Sequence, residues 1–158
     1  MPQLRLATPA DHPALAALFA EMQAHYAVPC PAEAAMLAGL SLRPSGSEIL
    51  VAEEAGRLLG FAAFSAIYPG PGLQPGIFLK ELYVTAAARS SGIGGALMRE
   101  LARVAVSRGL GRIDFTAAHD DQRLRRFYEE LGAAAHPEKV FYRLTGDALQ
   151  RLGADAET

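Results

Sequence analysis

Apolar and polar positions alternate from the start of the chain: Leu4 and Leu6 stand against Gln3 and Arg5, the period of a short strand. Thr8 can then cap a helix, Pro9 suits a first helical position because its φ is fixed and it has no N–H to leave orphaned, and Asp11 belongs in a first turn. Leu15, Leu18, Phe19 and Met22 recur at three-to-four spacing, which predicts one buried helix face up to about Tyr26. Val28-Pro29-Cys30-Pro31 breaks that helix, since a proline disfavours helical geometry in the residue before it. Ala32 to Leu42 predicts a second, alanine-rich helix.

Ile49 to Glu53 and Leu58 to Tyr68 read as two antiparallel strands joined through Glu54-Ala55-Gly56-Arg57. Pro69 to Gly76, with three prolines and three glycines, predicts an irregular loop, and Ile77 to Val84 resumes as strand. By alternation Glu81 shares a face of that strand with Ile77, Leu79 and Tyr83, and Lys80 shares the other with Phe78 and Leu82. From Gly92 to Arg108, Ile93, Leu97, Leu101, Val104 and Ala105 mark one helix face opposite Arg99, Glu100, Arg103 and Ser107, and Gly109 ends the helix. Arg112 to Ala117 predicts a fifth strand. Leu124, Phe127, Tyr128 and Leu131 predict a helix closed by Gly132, and Val140 to Leu144 a last strand before a short helix capped at Thr145. This order is not strict strand–helix alternation. The expected class is α/β in the α+β sense: a mixed, mostly antiparallel sheet, parallel only where the helix of residues 92–108 crosses between two strands.

A chain of 158 residues suits one domain, expected to span residues 1–158. Fifteen basic and seventeen acidic side chains leave a net charge of −2, which offers no field for a nucleic-acid backbone or an anionic membrane. Cys30 is alone, so no internal disulfide can form, and a lone cysteine is most often a small apolar filler. His12, His25, His119 and His136 lack metal-ligand spacing, and no metal site is expected. With no signal-peptide layout at Met1 to Leu6 and no apolar run of ~18 residues, the expectation is a soluble cytoplasmic protein.

The chemistry points to Arg89-Ser90-Ser91-Gly92-Ile93-Gly94-Gly95, a glycine-rich turn between a strand and an amphipathic helix. Such a turn puts exposed backbone N–H groups at the positive end of a helix, as a phosphate requires. A dinucleotide fingerprint would need a third glycine where Leu97 stands, and no Gly-Lys-Ser/Thr follows for a nucleoside triphosphate. The turn matches Arg/Gln-x-x-Gly-x-Gly/Ala directly behind Glu81-Leu82-Tyr83-Val84. Downstream, Asp121-Gln122-Arg123-Leu124-Arg125-Arg126-Phe127-Tyr128-Glu129-Glu130-Leu131-Gly132 stands where Asn-x-x-Ala-x-x-Phe-Tyr-x-x-x-Gly is found in the GNAT superfamily of N-acetyltransferases. The two motifs in this order resemble that superfamily over nearly the whole chain, and Tyr142 to Leu149 looks like its diamine acetyltransferase branch.

The resemblance implies a sheet with helices on both faces and a splayed parallel pair, with acetyl-CoA as co-substrate. It implies that residues Arg89 to Ala96 (Arg89, Ser90, Ser91, Gly92, Ile93, Gly94, Gly95 and Ala96) hold the diphosphate. Leu82, Tyr83 and Val84 would meet the pantetheine arm through their main chain, with Asp121 and Phe127 also at the cofactor. Asp121 replaces the family's usual asparagine and lacks its amide donor. The implied reaction is direct attack of a small-molecule primary amine on the thioester. Glu81 is the candidate base, or else one half of an ion pair with a basic neighbour. Tyr128 is the candidate acid, or else core. Lys80 stands where the diamine branch tends to carry an acid, so polyamine specificity does not carry over. A homodimer is implied as well. The alternatives are a silent acyl-CoA-binding module and a protein lysine or N-terminal acetyltransferase.

Overall fold

The computed structural model describes residues 1–155, which divide into two compact units, one from Met1 to Ala117 and one from Ala118 onward. The first unit holds a five-stranded sheet in the order β1 (Gln3–Leu6), β2 (Ser47–Glu54), β3 (Arg57–Ile67), β4 (Gly76–Val84), β5 (Ile113–Asp114). The first four strands are antiparallel, and β4 pairs with β5 in parallel. This is the mixed α/β architecture expected, with two corrections: the fifth strand is only two residues long, and Val140 to Leu144 forms no strand. Those residues have strand-forming side chains, but among the described residues of the second unit there is no other strand to pair with them. Between β2 and β3, Ala55 and Gly56 take φ values of 51° and 76°, the left-handed pair that a two-residue hairpin turn of matching twist requires.

Pro9–Asp11 forms a 3-10 turn, and α1 (His12–His25) starts behind it. It buries Leu15, Leu18 and Met22, and with Leu40 of α2 (Glu33–Ser41) it covers the sheet face that carries Ile49, Val51, Phe61 and Tyr83. The opposite face meets α3 (Ile93–Ser107), whose buried Leu97, Leu101 and Val104 reproduce the predicted stripe. Gly60 lets β3, β4 and α3 come close together. A Cβ there would stand 2.7 Å from the Tyr83 carbonyl oxygen and 3.4 Å from Leu97 Cδ1.

In the second unit α4 (Gln122–Glu130) is capped by Asp121, whose Oδ1 accepts the Leu124 N–H at 3.0 Å, and ends at Gly132 with φ of 101°. The helix α5 (Gly146–Asp155) follows Thr145 as expected. No helix among the described residues is long and apolar enough to cross a membrane.

One ion-pair network ties β1, the first turn and β2 together. Arg5 donates to both Asp11 carboxylate oxygens at 2.7 and 2.8 Å and to Glu53 Oε2 through Nε at 3.1 Å, while the Thr8 N–H donates to Asp11 Oδ2 at 2.8 Å. The Arg5 bonds outweigh the cost of burying Asp11 and draw its carboxyl from 3.8 down to about 2. A folded-state pKa below the unfolded one stabilises the fold at every pH above the unfolded value, here by ~2 kcal/mol. That contribution fades as pH falls from about 4 toward 2. Asp11→Asn should therefore lower unfolding free energy by ~2 kcal/mol at neutral pH in urea, and the gap to wild type should shrink at pH 2. An equal gap at both pH values would assign the loss to something other than this charge.

Candidate functional site

β3 accompanies β4 along its length, but β5 pairs only with Ile77 and Phe78, so among the described residues of the first unit no strand pairs with the second edge of β4, its open edge, from Leu79 onward. The Thr85 N–H donates to the Leu59 carbonyl at 2.9 Å, which fixes the sense of the strand end. Main-chain groups alternate sides along a strand, so those of Tyr83 point to β3 and those of Leu82 and Val84 to the open edge. Of the three residues expected to offer main-chain contacts, Leu82 and Val84 present theirs to the open edge, and Tyr83 is committed to the sheet.

The β3–β4 register jumps from Ala63 opposite Glu81 to Phe64 opposite Leu79, leaving Lys80 as a bulge. The extra residue reverses the alternation. Glu81 and Tyr83 share the face of Ala63 and Phe61, under α1 and α2, whereas Ile77, Leu79 and Leu82 share that of Ala62 and Phe64, toward α3. This corrects the placement of Glu81 with Ile77 and Leu79 and of Lys80 with Phe78 and Leu82, since strict alternation assumes that no residue is inserted. Lys80 is 63% exposed and pairs with Glu81 at 3.0 Å.

The loop after β4 makes a 3-10 turn at Ala86–Ala88, then passes through left-handed Ser90 and Gly92, with φ of 65° and 85°. The Ser91 hydroxyl donates back to the Ala88 carbonyl. The first helical bond of α3 runs from the Ala96 N–H to the Gly92 carbonyl at 3.0 Å, so Ala96 is not among the unpaired donors, contrary to expectation. Among the described residues no backbone carbonyl accepts the N–H groups of Ser90, Ser91, Gly92, Ile93, Gly94 or Gly95. Six adjacent amide donors at the positive end of a fifteen-residue helix offer the hydrogen bonds that a diphosphate would accept.

Arg89, at the head of the loop, turns back onto β4. Its Nε donates to the Val84 carbonyl at 3.2 Å, its Nη2 donates to the Tyr83 hydroxyl at 3.1 Å, and the guanidinium lies 5.4 Å from the Tyr83 ring centre. On the α1 side Glu21 accepts the Thr85 hydroxyl at 2.8 Å. Burial pushes the Glu21 carboxyl up, but Tyr83, Thr85, the Ala86 N–H and the Arg89 charge together bring it below its ordinary value. Burial, reinforced by Glu21, raises the Tyr83 hydroxyl. Sequence reasoning missed Glu21 and Thr85; the available signal was a carboxylate three residues after Leu18, on the flank of the buried stripe of α1. His25, at the end of α1, packs its ring against Tyr26 at 5.0 Å and Tyr83 at 6.2 Å.

In the second unit the Phe127 and Tyr128 rings lie 5.3 Å apart and Tyr128 is buried, while the Asp121 carboxylate caps α4. Cys30 is exposed rather than packed as an apolar filler. No group of His, Cys, Asp and Glu among the described residues could hold a metal ion.

Residues 13–133 match the profile described as the Acetyltransferase (GNAT) family. The chain is 32% identical over 93 residues to L-ornithine N5-acetyltransferase NATA1 of Arabidopsis thaliana, a match covering 59% of this chain and 41% of the plant protein. It thus spans less than half the length of that relative. Over 131 residues it is 28% identical to the uncharacterized N-acetyltransferase YhfO of Bacillus subtilis strain 168, covering 82% of this chain and 87% of the other. Among solved structures, an integron cassette protein from the mobile metagenome of V. cholerae superposes with a TM-score of 0.88 at 29% identity, covering 96% of this chain and 97% of that one.

Gly92 has open space where a Cβ would go, so its requirement is purely conformational. Gly92→Ala should cost ~1 kcal/mol for the left-handed backbone, read from urea unfolding. Gly39→Ala, inside α2 with equal room and ordinary φ, should shift stability the other way by ~0.5 kcal/mol or more.

Proposed function

The chain belongs to the GNAT family of acetyltransferases, and from that premise we propose that it moves the acetyl group of acetyl-CoA to a primary amine of a small molecule, by direct attack without an acyl-enzyme. The observation that carries this reading is the run of six unpaired amides from Ser90 to Gly95, set immediately behind the open edge of β4. Bound acetyl-CoA supplies an acetyl group activated as a thioester. The chain's own residues supply everything else. Amides of the loop grip the diphosphate, with Ser90, Ser91 and the three glycines keeping side chains out of the way. Main-chain groups of Leu82 and Val84 orient the pantetheine arm along the open edge and polarise the acyl carbonyl.

A lysine-like amine has a pKa of ~10.4, so at neutral pH producing the nucleophilic form costs ~4.6 kcal/mol unless the site assists. Glu81 is the base in this reading, directly or through water. The Lys80 bulge supports it by placing the carboxylate on the α1 and α2 face, 34% exposed, instead of among the apolar residues that meet α3. Its partner Lys80 is exposed beside it, and an acceptor bearing a carboxylate next to its amine would pair with that ammonium. Tyr128 is assigned a hydrogen bond to the departing sulfur by its Phe-Tyr-x-x-x-Gly motif. Full proton transfer from a phenol of pKa ~10 to a thiolate of pKa ~8.5 is uphill by ~2 kcal/mol, so the hydrogen bond comes first and net protonation follows from the proton released by the amine. A homodimer remains part of the proposal on the strength of the resemblance alone, and light scattering of the purified chain tests it.

Thiol release from acetyl-CoA over a panel of ornithine and other amino acids, diamines, aromatic amines, aminoglycosides and peptides should identify at least one small-molecule acceptor. Tyr128→Phe should lower kcat about a hundred-fold with little change in coenzyme A affinity, and Glu81→Gln should lower kcat while leaving coenzyme A affinity unchanged. If every acceptor is inert while acetyl-CoA still raises the melting temperature, the protein is a cofactor-binding module and not a transferase. Turnover of peptides alone would favour protein acetylation.

A further inference from the structure

Arg89 makes its contacts in the wrong place for a residue that heads a diphosphate loop. The three polar and ring contacts of its side chain are with β4: the Val84 carbonyl, the Tyr83 hydroxyl and the Tyr83 ring. The Val84 carbonyl is one of the groups on the open edge that the proposed reaction reserves for the pantetheine arm. Behind Tyr83 stands Glu21, whose Oε1 accepts the Thr85 hydroxyl and whose carboxyl is held below its ordinary value, against the cost of burial, by Tyr83, Thr85, the Ala86 N–H and the Arg89 charge. A row of groups therefore runs from α1 to the loop: carboxylate, phenol, guanidinium, open strand edge.

We propose that Tyr83, with Glu21 behind it, is a positioning residue that parks Arg89 against Val84, and that coenzyme A is taken up by exchange of Arg89 from this parked position to the diphosphate. The proposal rests on the cofactor reading above. It specifies what that reading leaves open, namely how one side chain can block the strand edge and still serve the loop. The exchange is favourable because Arg89 gives up contacts to a neutral carbonyl and a neutral phenol for charge-assisted bonds to an anion. The parked contacts oppose binding, so weakening them tightens it. A purely structural tyrosine would show the reverse.

The test is calorimetric titration of coenzyme A into wild type, Tyr83→Phe, Arg89→Gln and the double variant, with thermal melting as the check on folding. Phenylalanine keeps the ring and removes only the hydroxyl that faces Arg89 and Glu21. Tyr83→Phe should bind coenzyme A roughly three- to ten-fold tighter, the weight of one hydrogen bond. Arg89→Gln keeps a side chain that the loop motif accepts and should bind more weakly. Adding Tyr83→Phe to Arg89→Gln should then change nothing, because the parked group is gone. Should Tyr83→Phe melt early, Glu21→Gln replaces it in the same cycle with the same signs expected. Equal or weaker binding by Tyr83→Phe, or a gain that persists in the Arg89→Gln background, overturns the proposal while leaving the cofactor reading intact. Absence of binding by the wild type overturns both.

Discussion

Main-chain polar groups that leave a sheet need other partners, and β4 beyond Phe78 is where this fold meets that constraint. β3 satisfies one side of the strand as far as Thr85, but β5 departs after two residues, and among the described residues of the first unit no strand lies beside the outward groups of Leu82 and Val84. The next stretch of chain responds to that opening. Arg89 folds back to donate to the Val84 carbonyl, and the loop then delivers a second set of unpaired groups, the amides ahead of the first helical bond of α3. Acceptors and donors thus stand in sequence along one path, as an extended ligand with amides at one end and phosphates at the other would need. Gly60 keeps that path anchored, since any side chain there would push β4 away from β3 and α3 together.

The bulge at Lys80 solves a different problem. With regular pairing, Glu81 would join Ile77 and Leu79 in the layer that meets α3, and an ionised carboxylate in apolar surroundings costs several kcal/mol unless paired. One inserted residue turns Glu81 to the other face and leaves Lys80 in solvent beside it. The same insertion sets Tyr83 on the face of Phe61 and α1, within reach of Glu21. A single register shift therefore decides which face of the sheet carries Glu81 relative to the apolar residues Ile77 and Leu79.

This explains what was legible in the sequence. The stripes of α1 and α3 and the hairpin turn at Ala55-Gly56 follow from periodicity and backbone preference, which are local, and they stand as read. The loop motif and the Phe127-Tyr128 pair were recognisable because the family repeats those residue types at fixed spacing. The bulge leaves no mark, because Leu79-Lys80-Glu81 reads equally well with or without an insertion. The length of a strand depends on how long its neighbour stays alongside, so Phe115 to Ala117 and Val140 to Leu144 look like strands and are not. Pairings such as Arg5 with Asp11 and Glu21 with Thr85 join residues whose proximity only the folded chain creates.

Backbone strain alone would not have located the site. Ala27, Ala55 and Leu73 are left-handed as well as Ser90, and Ala55 belongs to an ordinary hairpin turn. What separates Ser90 and Gly92 from the others is the use of the geometry. Alternating a left-handed residue with right-handed or extended neighbours turns successive N–H groups toward one point, and such a cluster of like dipoles is unfavourable unless an anion or water answers it. In a turn the donors are consumed locally, as when the Leu73 N–H bonds the Gly70 carbonyl at 2.9 Å. In the loop before α3 they are not, and the helix adds its own positive end to theirs. The informative feature is therefore strain combined with unspent donors, and in this chain the two coincide over Ser90 to Gly95.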